Sequence, residues 1–107
     1  MIEPHSAAGS TRVRSAFADD GDFEDLLRAF AETIPEKRQE LRALHRGGDL
    51  DQIRRWAHQL KGAGGGYGFL GLSRAAAELE QACQANDPNR VVQAVDDLVD
   101  YLDRIEI

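Results

Sequence analysis

The chain has 107 residues, 42% of them hydrophobic, enough for one small domain with one core and too few for a second catalytic domain. Its net charge of −6 excludes a general nucleic-acid binder, which needs basic surface to displace counterions from phosphates. A lone Cys83 excludes an intramolecular disulfide and the cysteine-rich zinc patterns. No apolar run approaches the ~20 residues needed to cross a bilayer, and the N-terminus lacks the charged-then-apolar order of a secretory signal, so the chain reads as soluble, cytoplasmic and not inserted in a membrane.

Residues 1–19 mix Pro4, Gly9, serines, alanines and charges without periodicity, and are expected to form a flexible leader or linker in which His5 has no clustered metal-ligand partner. Residues 20–107 form the folded domain. Phe23, Leu27, Phe30 and Ile34 recur at spacings of 4, 3 and 4, which predicts an amphipathic helix with Asp20 or Asp22 near its N-cap. Pro35 is compatible with the first turn of a second helix running through Arg46, with Leu41 and Leu44 inward and a stop at Gly47-Gly48. His45 falls in its last turn, where an imidazole suits the helix dipole, and is read as a capping residue.

Asp49, with Gln52 three residues on, is similar to a capping box. It opens a central helix in which Leu50, Ile53, Ala57, Leu60, Gly64 and Tyr67 line one buried seam, with Trp56 at the core edge. A fourth helix starting between Leu70 and Ser73 carries Leu72, Ala76, Leu79 and Cys83 inward, so Cys83 is a small buried hydrophobe, and Glu78 and Glu80 flank that seam. After Asn86-Asp87-Pro88, a cap followed by proline, the last helix repeats Val91, Val95, Leu98, Leu102 and Ile105. No segment alternates with period two. The fold class is therefore all-α: an up-down antiparallel four-helix bundle with an additional N-terminal helix, Phe23 to Ile34, over one end.

The central helix has a second face. His58, Lys61, Gly62 and Gly65, at offsets 0, 3, 4 and 7, lie off the buried seam and carry an imidazole, an ammonium and almost no other bulk. Interior glycines cost roughly 1 kcal/mol each relative to alanine, so something must offset them. Gly64, Gly66 and Gly68 are accounted for by close packing or by the helix end, whereas Gly62 and Gly65 leave a bare patch through which another macromolecule could reach the ring. Arg54, Arg55 and Lys61 are the charged residues between Ile53 and Lys61, with no acid among them, which predicts a locally positive strip on an acidic protein.

Ala57-His58-Gln59-Leu60-Lys61-Gly62-Ala63-Gly64, followed by Gly68, resembles the phosphoacceptor motif of histidine-containing phosphotransfer (HPt) domains. The likeness extends as a helical pattern from about Phe23 to the C-terminus, and such domains are helical bundles. It implies a phosphorelay function, with His58 as phosphoacceptor and a response-regulator receiver domain or hybrid histidine kinase as partner. The acceptor aspartate and its metal would belong to that partner. It further implies that a side chain from the next helix orients the imidazole: Glu80, with Glu78 or Gln59 as substitutes.

A neutral imidazole nitrogen is a nucleophile able to take a phosphoryl group, and Lys61 favours the neutral ring by repulsion and then faces the transferred anion. Arg54, Arg55, Gln59, Gly62 and Gly65 make up the expected docking face. The glycine run fits no nucleotide-binding pattern, so the chain is expected to be a phosphoryl carrier without kinase activity, with no cofactor or metal, working as a monomer. Two rivals are a non-catalytic helical protein-protein interaction module and a metal hydrolase built on His58 with Glu78 or Glu80, the latter lacking a second histidine at ligand spacing.

Overall fold

The computed structural model describes residues 12–106. In chain order they form strand β1 (Val13–Arg14), a 3₁₀ turn (Gly21–Phe23), and helices α1 (Glu24–Glu32), α2 (Ile34–Gly47), α3 (Leu50–Gly66), α4 (Leu70–Gln84) and α5 (Pro88–Arg104), then strand β2 (Ile105–Glu106). The boundaries follow local chemistry. The Asp20 carboxylate accepts from the Asp22 amide, Asp49 from the amides of Asp51 and Gln52, and Asp87 from that of Arg90, each satisfying donors that a helix start leaves open. Pro35 and Pro88 occupy first turns, where a missing N–H removes no bond. Gly48, at φ +76, ends α2 in the left-handed conformation that glycine adopts without strain.

Helices α2 to α5, joined by short reversals, make the expected all-α four-helix bundle, and α3 and α4 share its largest interface. The predicted seams face the core, with Leu44, Leu50 and Tyr67 half-buried at its edge. Leu41, Ile53, Ala57, Leu72, Ala76, Leu79 and Leu98 are fully enclosed, each large aliphatic side chain contributing about 2 kcal/mol relative to exposure. α1 is the additional N-terminal helix and covers the end where α3 turns into α4: Phe30 stacks on Tyr67 and Phe69, with centroids 4.5 and 5.7 Å apart. Trp56 is half-buried and donates its indole N–H to Glu40 Oε1 at 3.0 Å. No helix among the described residues is long and apolar enough to cross a membrane.

The structure corrects three sequence expectations. The leader was expected to be flexible through Asp19, but from Arg12 onward it is bound to the bundle as a strap, while 1–11 lie outside the described residues. Val13 and Arg14 pair in parallel with Ile105 and Glu106, Ser15 is buried, and Phe17 stacks on Phe23 at 4.5 Å. Ile105, expected on the last helical seam, follows the end of α5 and adopts an extended backbone to pair with Val13. Ile34, expected at the end of the first helix, opens α2 instead, because Thr33 breaks the run between them.

Candidate functional site

Ile53, Ala57, Leu60 and Gly64 face the core, and His58, one position past Ala57, is turned to the surface with its side chain 63% exposed. Glu80 of α4 approaches it from the side. Its neighbour Leu79 is locked in the core, and the Glu80 side chain is only 10% exposed, so its carboxylate needs partners to offset lost hydration. It has two. Oε2 lies 2.8 Å from His58 Nδ1, and Oε1 accepts from Lys61 Nζ at 2.7 Å.

These bonds hold the Glu80 carboxyl below the usual carboxylate range, the Lys61 ammonium chiefly and the His58 ring second. An ionised carboxylate only accepts, so the proton between the two groups sits on His58 Nδ1, and in the neutral ring Nε2 carries the unshared electron pair. Because Glu80 titrates lower folded than unfolded, its contribution to stability is complete above the ordinary carboxyl value of 4.5 and disappears as pH falls through the depressed value. The urea midpoint of Glu80→Gln is accordingly expected to lie below that of the wild type at neutral pH, with the gap closing as pH is lowered from 4.5. A gap that persists or widens in acid would contradict this linkage.

The glycines divide by what surrounds them. A Cβ at Gly64 would stand 2.9 Å from the Ser73 backbone nitrogen and 3.2 Å from the Phe69 carbonyl oxygen, so this glycine lets α3 and α4 meet. A Cβ at Gly62 would meet nothing within 4 Å, and one at Gly65 only Ser73 Oγ at 3.6 Å, an ordinary contact. Internal packing thus demands Gly64 and leaves Gly62 and Gly65 unexplained. Gly68, at φ +82, ends the helix: Phe69 N–H returns to Gly64 O at 2.8 Å and Gly68 N–H to Gly65 O at 3.1 Å, a Schellman closure.

The positive strip on α3 is also corrected. Asp51, one turn before it, receives Arg54 Nη2 at 2.8 Å and Arg55 Nε at 3.0 Å, and these two guanidinium groups lower the Asp51 pKa. With Lys61 held by Glu80, none of the three cations is free of an acid. Gln59 is exposed on the other flank, lining the α2–α3 groove with Lys37, Glu40, Trp56, Leu60 and Ala63. Glu78 borders a groove with Arg90, Gln93 and Asp97 between α4 and α5. The two suggested substitutes for Glu80 therefore face other grooves.

Two contributors lie outside the residues singled out above, Ser73 for want of a sequence signal and Asp51 in spite of one. Ser73, seven residues before Glu80 on the same face of α4, donates its hydroxyl to the Lys61 carbonyl at 2.7 Å, so α4 holds Lys61 by backbone and side chain. Asp51 was findable from the i,i+3 and i,i+4 rule. Among the described residues there is no group of three His, Cys, Asp or Glu side chains able to hold a metal, and Lys61 takes the carboxylate oxygen a hydrolase site would need.

No curated protein and no solved structure gives a significant match to the chain. The profile of the Hpt domain matches residues 25–106, a span that includes four complete bundle helices and the His58–Glu80–Lys61 cluster. With the match covering most of the chain, and with a helical bundle presenting an exposed histidine, the chain belongs to the Hpt domain family, the histidine phosphotransfer modules of phosphorelays.

Proposed function

We propose that Nε2 of His58 carries the phosphoryl group and exchanges it with the aspartate of a response-regulator receiver domain, either free-standing or within a hybrid histidine kinase. The observation that supports this most is the division of one carboxylate between two groups, Glu80 holding His58 Nδ1 at 2.8 Å and Lys61 Nζ at 2.7 Å beside an exposed ring.

In the proposed step the Nε2 electron pair attacks the phosphorus of an aspartyl phosphate. The N–P bond forms as the P–O bond to the aspartate breaks, and the carboxylate leaves with the electron pair. The ring gains positive charge, which Glu80 balances through the Nδ1–H it already accepts, so no proton has to move. Lys61, its side chain 39% exposed, is close enough in sequence and face to meet the transferred oxygens. The reverse step follows the same path, and the chain supplies no phosphoryl donor of its own. We further propose that it works as a single copy.

Gly62 and Gly65 fit this reading as the places where the partner comes close, since nothing among the described residues requires them. Gly62→Gln is expected to raise helix stability by about 0.5 kcal/mol, because glutamine is the better helix former, and yet to slow transfer from the receiver about tenfold or more. Thermal melting and single-turnover transfer on the same sample check both halves. An unchanged transfer rate would remove Gly62 from the docking face.

The test of the function itself is intact mass after incubation with a phosphorylated receiver domain. Uptake of one phosphoryl group, labile in acid and stable in alkali, is expected. A folded protein that takes none from a broad panel of receivers and kinases, while still binding one of them, would instead be a non-catalytic helical interaction module.

A further inference from the structure

We infer that Ser15 is a positioning residue for the phosphoacceptor helix, closing from outside the bundle the turn that ends α3. The inference rests on His58 as acceptor and concerns a segment outside residues 25–106, the part matched by the family profile.

The end of α3 is weak by composition, with glycine at 62, 64, 65 and 66. Its closure uses the amides of Tyr67, Gly68 and Phe69 on the carbonyls of Ala63, Gly65 and Gly64. The carbonyls of the closing turn itself then need donors from elsewhere. The strap provides them. Ser15 Oγ–H donates to Tyr67 O at 2.6 Å, and Ala16 N–H donates to Gly68 O at 2.8 Å. The same Ser15 oxygen accepts the Phe17 amide at 2.9 Å, so the hydroxyl is engaged on both sides, and the residue is 6% exposed.

The fit leaves no space between strap and turn. A Cβ on Gly68 would stand 2.5 Å from Ser15 Oγ, 2.9 Å from Phe17 Cδ2 and 3.1 Å from Ala16 N. Pairing of Val13 with Ile105 anchors the strap on one side and stacking of Phe17 on Phe23 anchors it on the other. The register of α3 against α4 is therefore held at two levels near the site. Ser73 holds the Lys61 carbonyl, and Ser15 holds the turn beyond Gly66. Loss of the second lets the glycine turn open toward Lys61, and the shared Glu80 contacts lose their fixed geometry.

The test uses the full chain. In Ser15→Ala the amides of 64–69 are expected to exchange hydrogen about tenfold faster while α2 and α5 stay protected, and phosphoryl uptake from a phosphorylated receiver is expected to slow about threefold to tenfold. Val95→Ala, a core truncation in α5, is the control for a merely structural effect: it lowers the melting temperature at least as much but leaves transfer within about twofold. Phe17→Ala, which loosens the strap and keeps the hydroxyl, is expected to show the Ser15→Ala pattern more weakly. Transfer by Ser15→Ala at the rate of Val95→Ala, or faster exchange spread evenly over the bundle, would overturn the inference. Failure of the wild type to accept phosphate would overturn the acceptor reading instead, and the exchange measurement separates the cases because it needs no phosphoryl donor.

Discussion

His58→Gln is expected to abolish phosphoryl uptake and to leave the bundle folded. The amide nitrogen of glutamine has its electron pair delocalised into the carbonyl and is no nucleophile at neutral pH, so the drop should exceed about a thousandfold. The fold has little reason to respond. The ring is 63% exposed, glutamine is the better helix former, and the one bond lost leaves Glu80 still holding Lys61 at 2.7 Å. A stability change within about 1 kcal/mol is therefore expected from chemical denaturation. Intact mass after incubation with a phosphorylated receiver reads the first half of the result. Residual uptake by a folded variant would move the acceptor to another histidine, His45 among the described residues, and an unfolded variant would contradict a surface role for the ring.

How far the sequence discloses this fold depends on whether the deciding contacts are local. The seams of α3, α4 and α5 are legible because periodicity and caps lie within each helix: Asp49 and Asp87 cap as their spacing predicts, and Ile53, Leu72, Leu79 and Leu98 are buried as theirs predicts. Ile105 continues the α5 pattern in spacing, yet it leaves the helix because Val13 offers a backbone partner 92 positions away in sequence, which no window of a dozen residues contains. The strap escapes for the same reason. Ser15 and Phe17 sit in a polar, aperiodic stretch, and what orders them is the turn at Tyr67 and Gly68.

The candidate site shows the same division. That His58 is turned outward follows from the α3 seam alone, and the structure places it so. The positive strip fails because counting between Ile53 and Lys61 stops two residues short of Asp51, whose carboxylate reaches both arginines from the preceding turn. Glu78 and Glu80 both flank the α4 seam, so periodicity does not separate them, and the preference for Glu80 over Glu78 and Gln59 comes from the resemblance. The rotational phase of α4 against α3 separates them, and that phase is set across the interface by Gly64 against Ser73 and by the Ser73 hydroxyl on the Lys61 carbonyl.

Glu80→Gln is expected to slow phosphoryl transfer about 10–100-fold, by analogy with the loss of a carboxylate that orients a metal-ligating histidine. Two physical losses combine. A carboxylate compels the Nδ1–H tautomer, whereas an amide can equally turn its NH₂ toward Nδ1, which puts the ring proton on Nε2 and occupies the electron pair proposed to attack phosphorus. The amide is also neutral, so the positive charge that the ring gains in the transfer is no longer balanced at 2.8 Å, and the Lys61 ammonium, released from Oε1, repels that charge. The tautomer is directly visible: ¹⁵N shifts of His58 should show a single Nδ1-protonated form in the wild type and a mixture in the variant. Lys61→Met should cost less, about threefold to tenfold, because it leaves the ring oriented. With both changes combined, the loss should be smaller than the product of the two, because each single change already disrupts the same shared carboxylate. A wild-type transfer rate in Glu80→Gln, or effects that multiply independently, would mean that the carboxylate serves only to join α3 to α4.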